Sequence, residues 1–406
     1  MFSNRCSWVL TRGAESYNMT NKKHRSINAF VSTFRADREL KSDVIIHANA
    51  IHLLAELAVF HDMNKDSNHI LLTDQNIAQL YLKPIQKALQ SAGLNVYELI
   101  IAPGEASKSV SVYTKLIEQI LDFGIDKHSV VISLGGGIVN NIAGFLASTL
   151  YRGIGLIHIP TSLLAQADAA IDFKQAVNFR HGKNLIGSYY PAQKIIVDPL
   201  VLQTLDIRHI RNGLGESIKH ALCQDADFLD YLLSRHEELT DQDFLNTVVA
   251  TTIKLKLEVM TDNIDAEYDE MLKQYGHSIG HAVEHLSNGQ IYHGEAIAIG
   301  MCASARIGHM LGLSSADLID IHEEVFTHFG LPVKIPAEFS REDIWNKIRY
   351  DKHFLSDLTN MGILQSVGVL AQNEDGGYAH SISQDIVFQA IEASRPKYHV
   401  STVRRK

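Results

Sequence analysis

Hydrophobic positions between Asp43 and Pro160 follow two alternating patterns. Short apolar runs, as in "HILLTD" and "SVVISLGGG", predict buried strands, whereas "SVYTKLIEQILDFG" has the 3.6-residue period of an amphipathic helix. Further strands are predicted in "DVIIHA", "VYELIIAPG" and "GLIHIP", and further helices in "IAQLYLKPIQKALQSAG" and "IVNNIAGFLASTLY". This alternation is typical of a parallel sheet covered by helices on both faces, so it predicts an α/β domain.

Strand patterns fade after about Leu200. Segments such as "DFLNTVVATTIKLKLEVM" and "EAIAIGMCASARIGHML" keep a helical period, which predicts a second, mostly α-helical domain. We therefore expect four parts: an N-terminal extension at 1–42, the α/β domain at 43–200, the helical domain at 201–395 and a basic tail at 396–406. The composition of the tail, "RPKYHVSTVRRK", favours a frayed, solvated end.

Composition narrows the classes of function. The chain has 406 residues, of which 46% are hydrophobic and 20% are charged, and its net charge is -9. These values are ordinary for a globular protein with a large core, and the negative charge argues against nucleic acid as the main partner. No apolar run is long enough for a membrane span. The three cysteines form no CxxC pair and the N-terminus has no clear signal-peptide cleavage site, so a cytoplasmic location is expected.

A glycine turn is the first candidate binding feature. The stretch "SLGGGIVNNIAG" places Gly135, Gly136 and Gly137 between a predicted strand and a predicted helix, where backbone N–H groups can hold a pyrophosphate. A tight strand–helix turn also favours glycine, so this stretch alone leaves both interpretations open. Asp74, at the end of the strand in "LLTDQN", is equally compatible with a ribose contact and with an ordinary turn.

Histidines are concentrated in "QYGHSIGHAVEHLSNGQIYHGEA". The segment contains His277, His281, His285 and His293, and the spacing of four between the first three places them on one helix face. Such a face is either part of a metal site or simply solvated. Zinc-type ions use imidazole and carboxylate ligands. Two imidazoles are available in this segment at His277 and His293, and a carboxylate is available at Glu216 in "NGLGESIKHAL". Alternatively, Glu216 and the lysine three residues later form a pair that is usual on helix surfaces.

Taken together, the motifs resemble those of a known family, the sugar phosphate cyclases, whose best-known members are the dehydroquinate synthases. The similarity extends, in order and spacing, over "GEASKS", "SLGGGIVNNIAGFLAS", "IPTSLLAQADAAIDFKQAVN", "GKNLIGSYYP", "GLGESIKHAL" and "YGHSIGHAVEH". It covers roughly Asp43 to Leu370. The resemblance implies a Rossmann-like NAD-binding domain at 43–200 and a helical metal-binding domain at 201–395, with the active site between them and usually a homodimer.

The resemblance also implies chemistry in which one bound NAD is used and regenerated. Oxidation of a substrate hydroxyl acidifies the neighbouring C–H and lets phosphate leave, NADH returns the hydride, and the open-chain product closes to a carbocycle by an aldol step. One zinc or cobalt ion would polarise the hydroxyl that is oxidised. The expected substrate is a small-molecule sugar phosphate, held by lysines in a locally positive pocket.

Single positions acquire roles from the same resemblance. It implies metal ligands at Glu216, His277 and His293, and no site role for His285, which is expected on the helix surface. The implied NAD contacts are Asp74, Asn76, Glu105, Lys108, Gly135, Gly136, Gly137, Asn141, Thr161, Ser162, Asp168 and Lys183. The implied catalytic and substrate-holding positions are Lys174, Lys183, Asn184, Lys219, Glu270 and His281. The implied phosphate contacts are Lys174, Asn184, His281, Lys352 and, from the neighbouring subunit, Arg152.

The choice of substrate depends on departures from the dehydroquinate synthase pattern. Glu270 stands seven residues before His277, where those enzymes usually carry an arginine that helps to hold a substrate carboxylate. Gln274 stands in place of an Asn, and Asn141 in place of an Asp, whereas Lys256, the other lysine on the carboxylate side, is retained. An acid at position 270 repels a substrate carboxylate if it faces the site, and has no such effect if it points to solvent.

Other motifs point to one group of cyclases. The stretches "KQAVN", "NNIAG", "GKNLIGSYYP" and "YGHSIGHA" resemble most the 2-deoxy-scyllo-inosose synthases, which usually have Glu where Gln274 stands. Valiolone-type cyclases usually replace the histidine at position 281 with proline. The expected activity is therefore the conversion of glucose 6-phosphate to 2-deoxy-scyllo-inosose, an aminocyclitol antibiotic precursor. The alternatives are a 3-dehydroquinate synthase, a cyclase of sedoheptulose 7-phosphate and a metal-dependent polyol dehydrogenase.

Overall fold

The computed structural model describes residues 40–396, apart from 55–59, 61, 181, 262–265, 351–352 and 356. The strands are β1 (Asp43–Ile46), β2 (Asn68–Asp74), β3 (Asn95–Ile101), β4 (Val130–Gly135), β5 (Gly155–Pro160), β6 (Lys174–Phe179), β7 (Gly182–Tyr189), β8 (Lys194–Val197), β9 (Phe354–Leu355), β10 (Leu358–Met361), β11 (Leu364–Ser366), β12 (Val369–Leu370) and β13 (His380–Ser383). The predicted extension at 1–42 and the predicted tail at 396–406 lie almost entirely outside the described residues.

The α-helices follow in chain order as α1 (Gln75–Ile77), α2 (Lys83–Ser91), α3 (Val110–Asp122), α4 (Gly137–Thr149), α5 (Ile207–Gln224), α6 (Ala226–Ser234), α7 (Gln242–Thr261), α8 (Ala266–Lys273), α9 (His277–Leu286), α10 (His293–Met310), α11 (Asp317–His328), α12 (Arg341–Ile348) and α13 (Gln384–Ala393). Short 3-10 or π turns occupy Ala78–Leu82, Glu105–Ser107, Leu150–Arg152, Ala165–Ala169 and Pro199–Thr204. No helix among the described residues is long and apolar enough to cross a membrane.

A parallel sheet forms the centre of the first half of the chain. Its six described strands are hydrogen-bonded in the order β1-β8-β5-β4-β2-β3, and all of these pairs are parallel. Both faces are covered, because Ile70 and Leu72 of β2 pack into one apolar cluster while Leu71 packs into another. Burial on both faces explains the continuous apolar runs in the sequence of these strands. The predicted α/β class is confirmed.

Helices dominate the second half of the chain. Ile218 and Leu222 of α5 belong to the same apolar cluster as Ile70 and Leu72, so the core continues from the sheet into these helices. Ile279 of α9 and Ile299 of α10 pack into a further cluster with α12 and α13. The sheet ends at Val197 and α5 begins at Ile207, close to the predicted boundary at 200. That boundary stays a prediction, because the chain from Ser42 onward forms one compact unit.

An antiparallel hairpin of β6 and β7 connects the sheet to the site. Lys174 lies opposite Tyr189, and the two strands carry several of the predicted site residues. The hydrophobic pattern does not predict this hairpin, because most of β7 is exposed to solvent, including Leu185 and Tyr189. The exposed strand β7 therefore shows no buried apolar run.

Candidate active site

Three helices bring the predicted metal ligands together. Glu216 lies in the middle of α5, and His277 and His293 are the first residues of α9 and α10. The Nε2 atoms of His277 and His293 lie 3.3 and 3.2 Å from the same oxygen, Oε1 of Glu216. A carboxylate and two imidazoles that converge in this way are the three protein ligands of many catalytic zinc-type sites.

Each of the two imidazoles is oriented by its other nitrogen. His277 Nδ1 donates to the carbonyl oxygen of Tyr275 at 3.0 Å, and His293 Nδ1 donates to Oε2 of Glu284 at 3.0 Å. Metal-binding histidines are usually held in this way, because the second hydrogen bond fixes the ring and leaves Nε2 for the ion. The arrangement therefore fits a divalent metal.

The charges of the cluster also favour a cation. Burial opposes ionisation of Glu216, but Lys219, whose Nζ lies 2.5 Å from Glu216 Oε2, and the two histidines keep the pKa of this carboxyl well below its usual value. Burial also opposes the charged form of His293, yet Glu216 and Glu284 outweigh it and raise the pKa of His293 to about 10. Positive charge is thus stabilised between these two carboxylates. The Glu216–Lys219 pair is buried, so the surface interpretation of this spacing is wrong.

Glycines set the distances between the helices that carry the ligands. A Cβ atom at Gly215 would lie 2.7 Å from the backbone of Gly294, so α5 and α10 touch through their main chains at this point. Gly276, directly before His277, has a φ of 77°, which is strained for other residues. Glu216, His277 and His293 are therefore each next in sequence to a glycine. The close helix contact or the turn at that point requires this glycine.

His281 lies close to the two predicted ligand histidines. Its ring centroid lies 5.1 Å from that of His277 and 5.7 Å from that of His293, and its side chain is open to solvent. Each of the three imidazoles places a nitrogen within 4.8 Å of the others. His285 is only half-exposed and is not part of this group. The four-residue spacing thus places two histidines in one cluster and not the third.

A group of polar residues from the hairpin and the β3 end lies beside the metal cluster. Lys183 Nζ lies 2.6 Å from Oε1 of Glu284, and 4.0 Å from Oε1 of Glu105. Lys108 donates to Oδ1 of Asn184. Burial lowers the pKa of Lys108 to about 8, although the nearby Glu105 opposes this shift. Glu284 therefore links the predicted cofactor and substrate residues to the ligand His293.

A second group of ion pairs lies close to Glu216. Lys256 pairs with Asp168 and, at 3.2 Å, with Asp172, and Asp172 pairs with Lys174 at 3.2 Å. Burial opposes the charge on Asp172, but the two lysines keep its pKa below the usual value. A carboxylate oxygen of Asp168 lies within 4.8 Å of one from Glu216. Asp168, a predicted NAD contact, is thus already held by a buried lysine.

The remaining predicted NAD contacts lie at the carboxyl ends of the strands. The chain passes from β2 to β3 on one side and from β4 to β5 on the other, so the neighbouring strands β2 and β4 form a switch point of the kind where α/β sheets bind ligands. Asp74 ends β2, and its carboxylate accepts from the backbone N of Asn76 at 2.9 Å. The turn at Gly136 begins α4 without a side-chain cap, which leaves backbone N–H groups for an anion. The hydroxyls of Thr161 and Ser162 follow β5 at the same edge, so the residues fit a dinucleotide.

The remaining predicted site residues are Glu270, Arg152, Asn141 and Lys352. Glu270 on α8 lies 3.1 Å from Nε2 of His353, so its carboxylate has a partner within the protein. Arg152 is exposed and has a φ of 63°, and Asn141 is half-buried on α4. Lys352 lies outside the described residues.

Sequence reasoning missed two acids of the site. Glu284 contacts both the predicted ligand His293 and Lys183, and Asp172 contacts both Lys174 and Lys256. A usable signal for Glu284 was its place three residues after His281, which brings it to the ligand side of α9. For Asp172, the signal was its position two residues before Lys174, in the same predicted motif.

Known proteins share this fold and these motifs. The chain matches the 3-dehydroquinate synthase N-terminal family model over residues 98–212 and the 3-dehydroquinate synthase C-terminal family model over residues 213–354. The chain therefore belongs to the 3-dehydroquinate synthase family, as the motif resemblance had indicated.

Relatives within the family carry two different names. A 2-deoxy-scyllo-inosose synthase of Streptomyces lividus is 37% identical over 287 residues, which cover 70% of this chain and 75% of that protein. A 3-dehydroquinate synthase of Desulforamulus reducens is 36% identical over 286 residues, which cover 70% of this chain and 80% of that protein. A crystal structure of 2-deoxy-scyllo-inosose synthase with carbaglucose-6-phosphate, NAD+ and Co2+ superimposes with a TM-score of 0.79 at 26% identity, covering 86% of this chain and 96% of the other. Overall identity does not separate the two names.

Proposed function

We propose that this chain is a sugar phosphate cyclase, a lyase that converts glucose 6-phosphate to 2-deoxy-scyllo-inosose with release of phosphate. The observation that carries the proposal is the convergence of His277 and His293 on one oxygen of Glu216, with lysines on both sides of the cluster. The named relatives and the liganded crystal structure support it.

Two bound groups belong to the proposal. Glu216, His277 and His293 would hold one divalent ion, Zn2+ or Co2+, and such an ion polarises a substrate hydroxyl when it is bound. NAD would lie at the strand ends, with its pyrophosphate at the turn before α4, and it accepts and returns a hydride. The similar crystal structure contains NAD+ and Co2+, which supports both assignments.

The protein's own residues then bind and orient the substrate. Lys174, Lys183 and Asn184 of the hairpin hold substrate oxygens and the phosphate, because charged donors bind phosphate strongly. Lys219 stays fixed by Glu216, and His281 is open to solvent beside the ligands, where it can exchange a proton with a departing phosphate. The positions and charges of these residues support the proposed roles.

Glu270 supports an aldose phosphate over a keto acid. A carboxylate at this place gives a carboxylated substrate nothing to bind and, at close range, repels it. Nε2 of His353 lies 3.1 Å from Oε1 of Glu270, so an imidazole stands next to this carboxylate. A 3-dehydroquinate synthase is the second candidate, favoured by the 36% identity to such an enzyme and by the buried Lys256. Cyclisation of sedoheptulose 7-phosphate is a third candidate, favoured by a 2-epi-5-epi-valiolone synthase structure that superimposes with a TM-score of 0.79 at 26% identity. His281, which stands where valiolone-type cyclases usually have proline, argues against it.

The assembly and the location complete the proposal. We place Arg152, which is exposed after α4, at the phosphate site of a second subunit in a homodimer. We keep the domains at 43–200 and 201–395, with the site between them, and a cytoplasmic location. Buried, free Cys223 and Cys302 are consistent with a reducing compartment.

One assay tests the function. The purified protein, with NAD and either Co2+ or Zn2+, is given glucose 6-phosphate, sedoheptulose 7-phosphate or the dehydroquinate precursor separately, and phosphate release is followed. Release from glucose 6-phosphate, with a cyclic product by mass spectrometry and NMR, supports the proposal. Release from one of the other two substrates alone replaces it with the corresponding alternative.

A further inference from the structure

Glu284 stands between two parts of the site that sequence reasoning treats as separate. Its Oε2 accepts from Nδ1 of His293 at 3.0 Å, while its Oε1 lies 2.6 Å from Nζ of Lys183. The side chain of Glu284 is 13% exposed and that of Lys183 is 32% exposed, so the contact is shielded from bulk water. One carboxylate therefore serves a metal ligand on α10 and a lysine on the hairpin.

A change at either partner must alter the bond to the other. An ion on Nε2 of His293 withdraws electrons from the ring, which makes the Nδ1–H a stronger donor to Glu284. A carboxylate that is drawn toward His293 holds Lys183 less strongly. Lys183 is then more available to an anionic group, and its neighbours Glu105 and Lys108 lie after β3, at the sheet edge where dinucleotides bind.

We propose that Glu284 is a positioning residue that couples the metal centre to the hairpin, so that a bound divalent ion raises the affinity for NAD. The coupling is reciprocal, so NAD also raises the affinity for the ion. This inference rests on the proposed function for the identity of the two ligands. The inference goes beyond the proposed function by predicting that the metal ion and NAD bind cooperatively and that Glu284 couples their binding.

Glu284→Gln is the test variant, because it keeps the shape of the side chain and removes its charge. Glu323→Gln is the matched control, since Glu323 also bridges two cationic groups, Arg306 and Lys334, away from the ligands. Co2+ affinity is measured by chelator competition, and NAD affinity by isothermal titration calorimetry with and without saturating Co2+. Neither readout requires turnover.

The expected result has two parts. Glu284→Gln lowers Co2+ affinity by about 10- to 100-fold, the usual effect of losing a partner of a ligand histidine. The same variant abolishes the gain in NAD affinity that Co2+ gives the wild type, whereas Glu323→Gln changes neither quantity. Glu284→Asp, which keeps the charge on a shorter side chain, restores part of the metal affinity.

Other outcomes overturn the coupling. A loss of Co2+ affinity with the NAD gain intact reduces Glu284 to a local support of His293. A wild type whose NAD affinity does not depend on Co2+ removes the coupling altogether, as does equal damage in the Glu323→Gln control. A failure of the proposed function is distinguishable, because the protein would then bind Co2+ and NAD cooperatively while releasing no phosphate from glucose 6-phosphate.

Discussion

Lys219 Nζ lies 2.5 Å from Oε2 of Glu216, one helical turn away, and both side chains are almost fully buried. Ion pairs at this spacing usually lie on helix surfaces and add little to stability. Here the lysine balances a carboxylate that also faces two imidazoles. The pair therefore contributes to the charge balance of the site. Removal of Lys219 tests how strongly the buried carboxylate of Glu216 depends on this cation.

Loss of this lysine should destabilise the metal-free protein. Lys219→Met leaves Glu216 without its buried cation, which costs about 3 kcal/mol or more when one partner of a buried pair is removed. Urea unfolding in the presence of a chelator measures the loss, and saturating Co2+ should reduce it by supplying positive charge. Lys254→Met is the control, because the Lys254–Glu258 pair is exposed, and its change should stay within about 0.5 kcal/mol. Equal losses in the two variants would contradict this account.

Removal of a ligand histidine should remove the metal. His277→Ala and His293→Ala each delete one of three proposed ligands, so bound metal should fall from about one equivalent to a small fraction and phosphate release should stop. Metal content is measured by elemental analysis after gel filtration. His285→Ala, a change on the same helix outside the cluster, should keep metal and activity. Full metal content in His277→Ala would refute the ligand assignment.

NAD should be needed only in catalytic amount. If the hydride returns to the substrate-derived product, substoichiometric NAD supports complete conversion and no NADH accumulates. Absorbance of NADH and phosphate release are followed in the same reaction. NADH that rises in step with product would instead support the polyol dehydrogenase alternative.

Binding of NAD should weaken above about pH 8. Burial lowers the pKa of Lys108 to about 8, so this lysine loses its charge in the folded protein while it would still be charged in an unfolded chain. If Lys108 donates to NAD, its loss of charge should weaken binding by roughly tenfold between neutral pH and pH 9. Lys108→Arg, which stays charged, should flatten the profile, whereas Lys115→Arg on exposed α3 should leave it unchanged. A flat wild-type profile would exclude Lys108 from NAD binding.

The same shift has a consequence for stability with a defined sign. Between about pH 8 and the ordinary lysine pKa of 10.5, the unfolded chain binds a proton at Lys108 that the folded chain has lost. The contribution of Lys108 to the free energy of unfolding therefore increases as the pH rises through this window. Comparison of wild type and Lys108→Met by urea unfolding across the window measures this contribution.

Reversal of charge at Glu270 should change the order of substrates. Repulsion between two carboxylates at 4 Å is about 1 to 4 kcal/mol, depending on the dielectric, which corresponds to roughly tenfold to several-hundredfold in kcat/KM. Glu270→Arg should therefore improve the dehydroquinate precursor relative to glucose 6-phosphate. Glu258→Arg, a reversal on an exposed face of α7, should not. An unchanged order in Glu270→Arg would show that this charge does not select the substrate.

The sequence predicted the parallel sheet because strands buried on both faces must be apolar throughout. It did not predict the β6–β7 hairpin, whose exposed strand has no such run and whose conformation depends on pairing within the hairpin and on contacts of Lys183 with a distant helix. The motif "KQAVN" marked this segment as important without indicating its structure.

For the site too, the sequence predicted some features and not others. The motifs and ligand chemistry predicted Glu216, His277 and His293 as a group, and the structure brings their side chains together, while their role as metal ligands stays a prediction. The spacing from His281 indicates only that Glu284 lies on the same side of α9. Its contact with Lys183 and the contact of Glu270 with His353 could not be predicted, because each joins residues far apart in sequence. A charged residue on a helix gives no sign in its own sequence of which distant partner it will meet.

The contact of Gly215 with the backbone of Gly294 makes the ligand geometry a property of the main chain. Any side chain at Gly215 would push α10 away from α5, and with it would move His293 relative to Glu216, without altering a single ligand atom. In a comprehensive substitution library, Gly215 should therefore tolerate as few substitutions as the predicted ligands themselves. Directed evolution toward new sugars must keep this helix contact and find its variation in the hairpin and around Glu270.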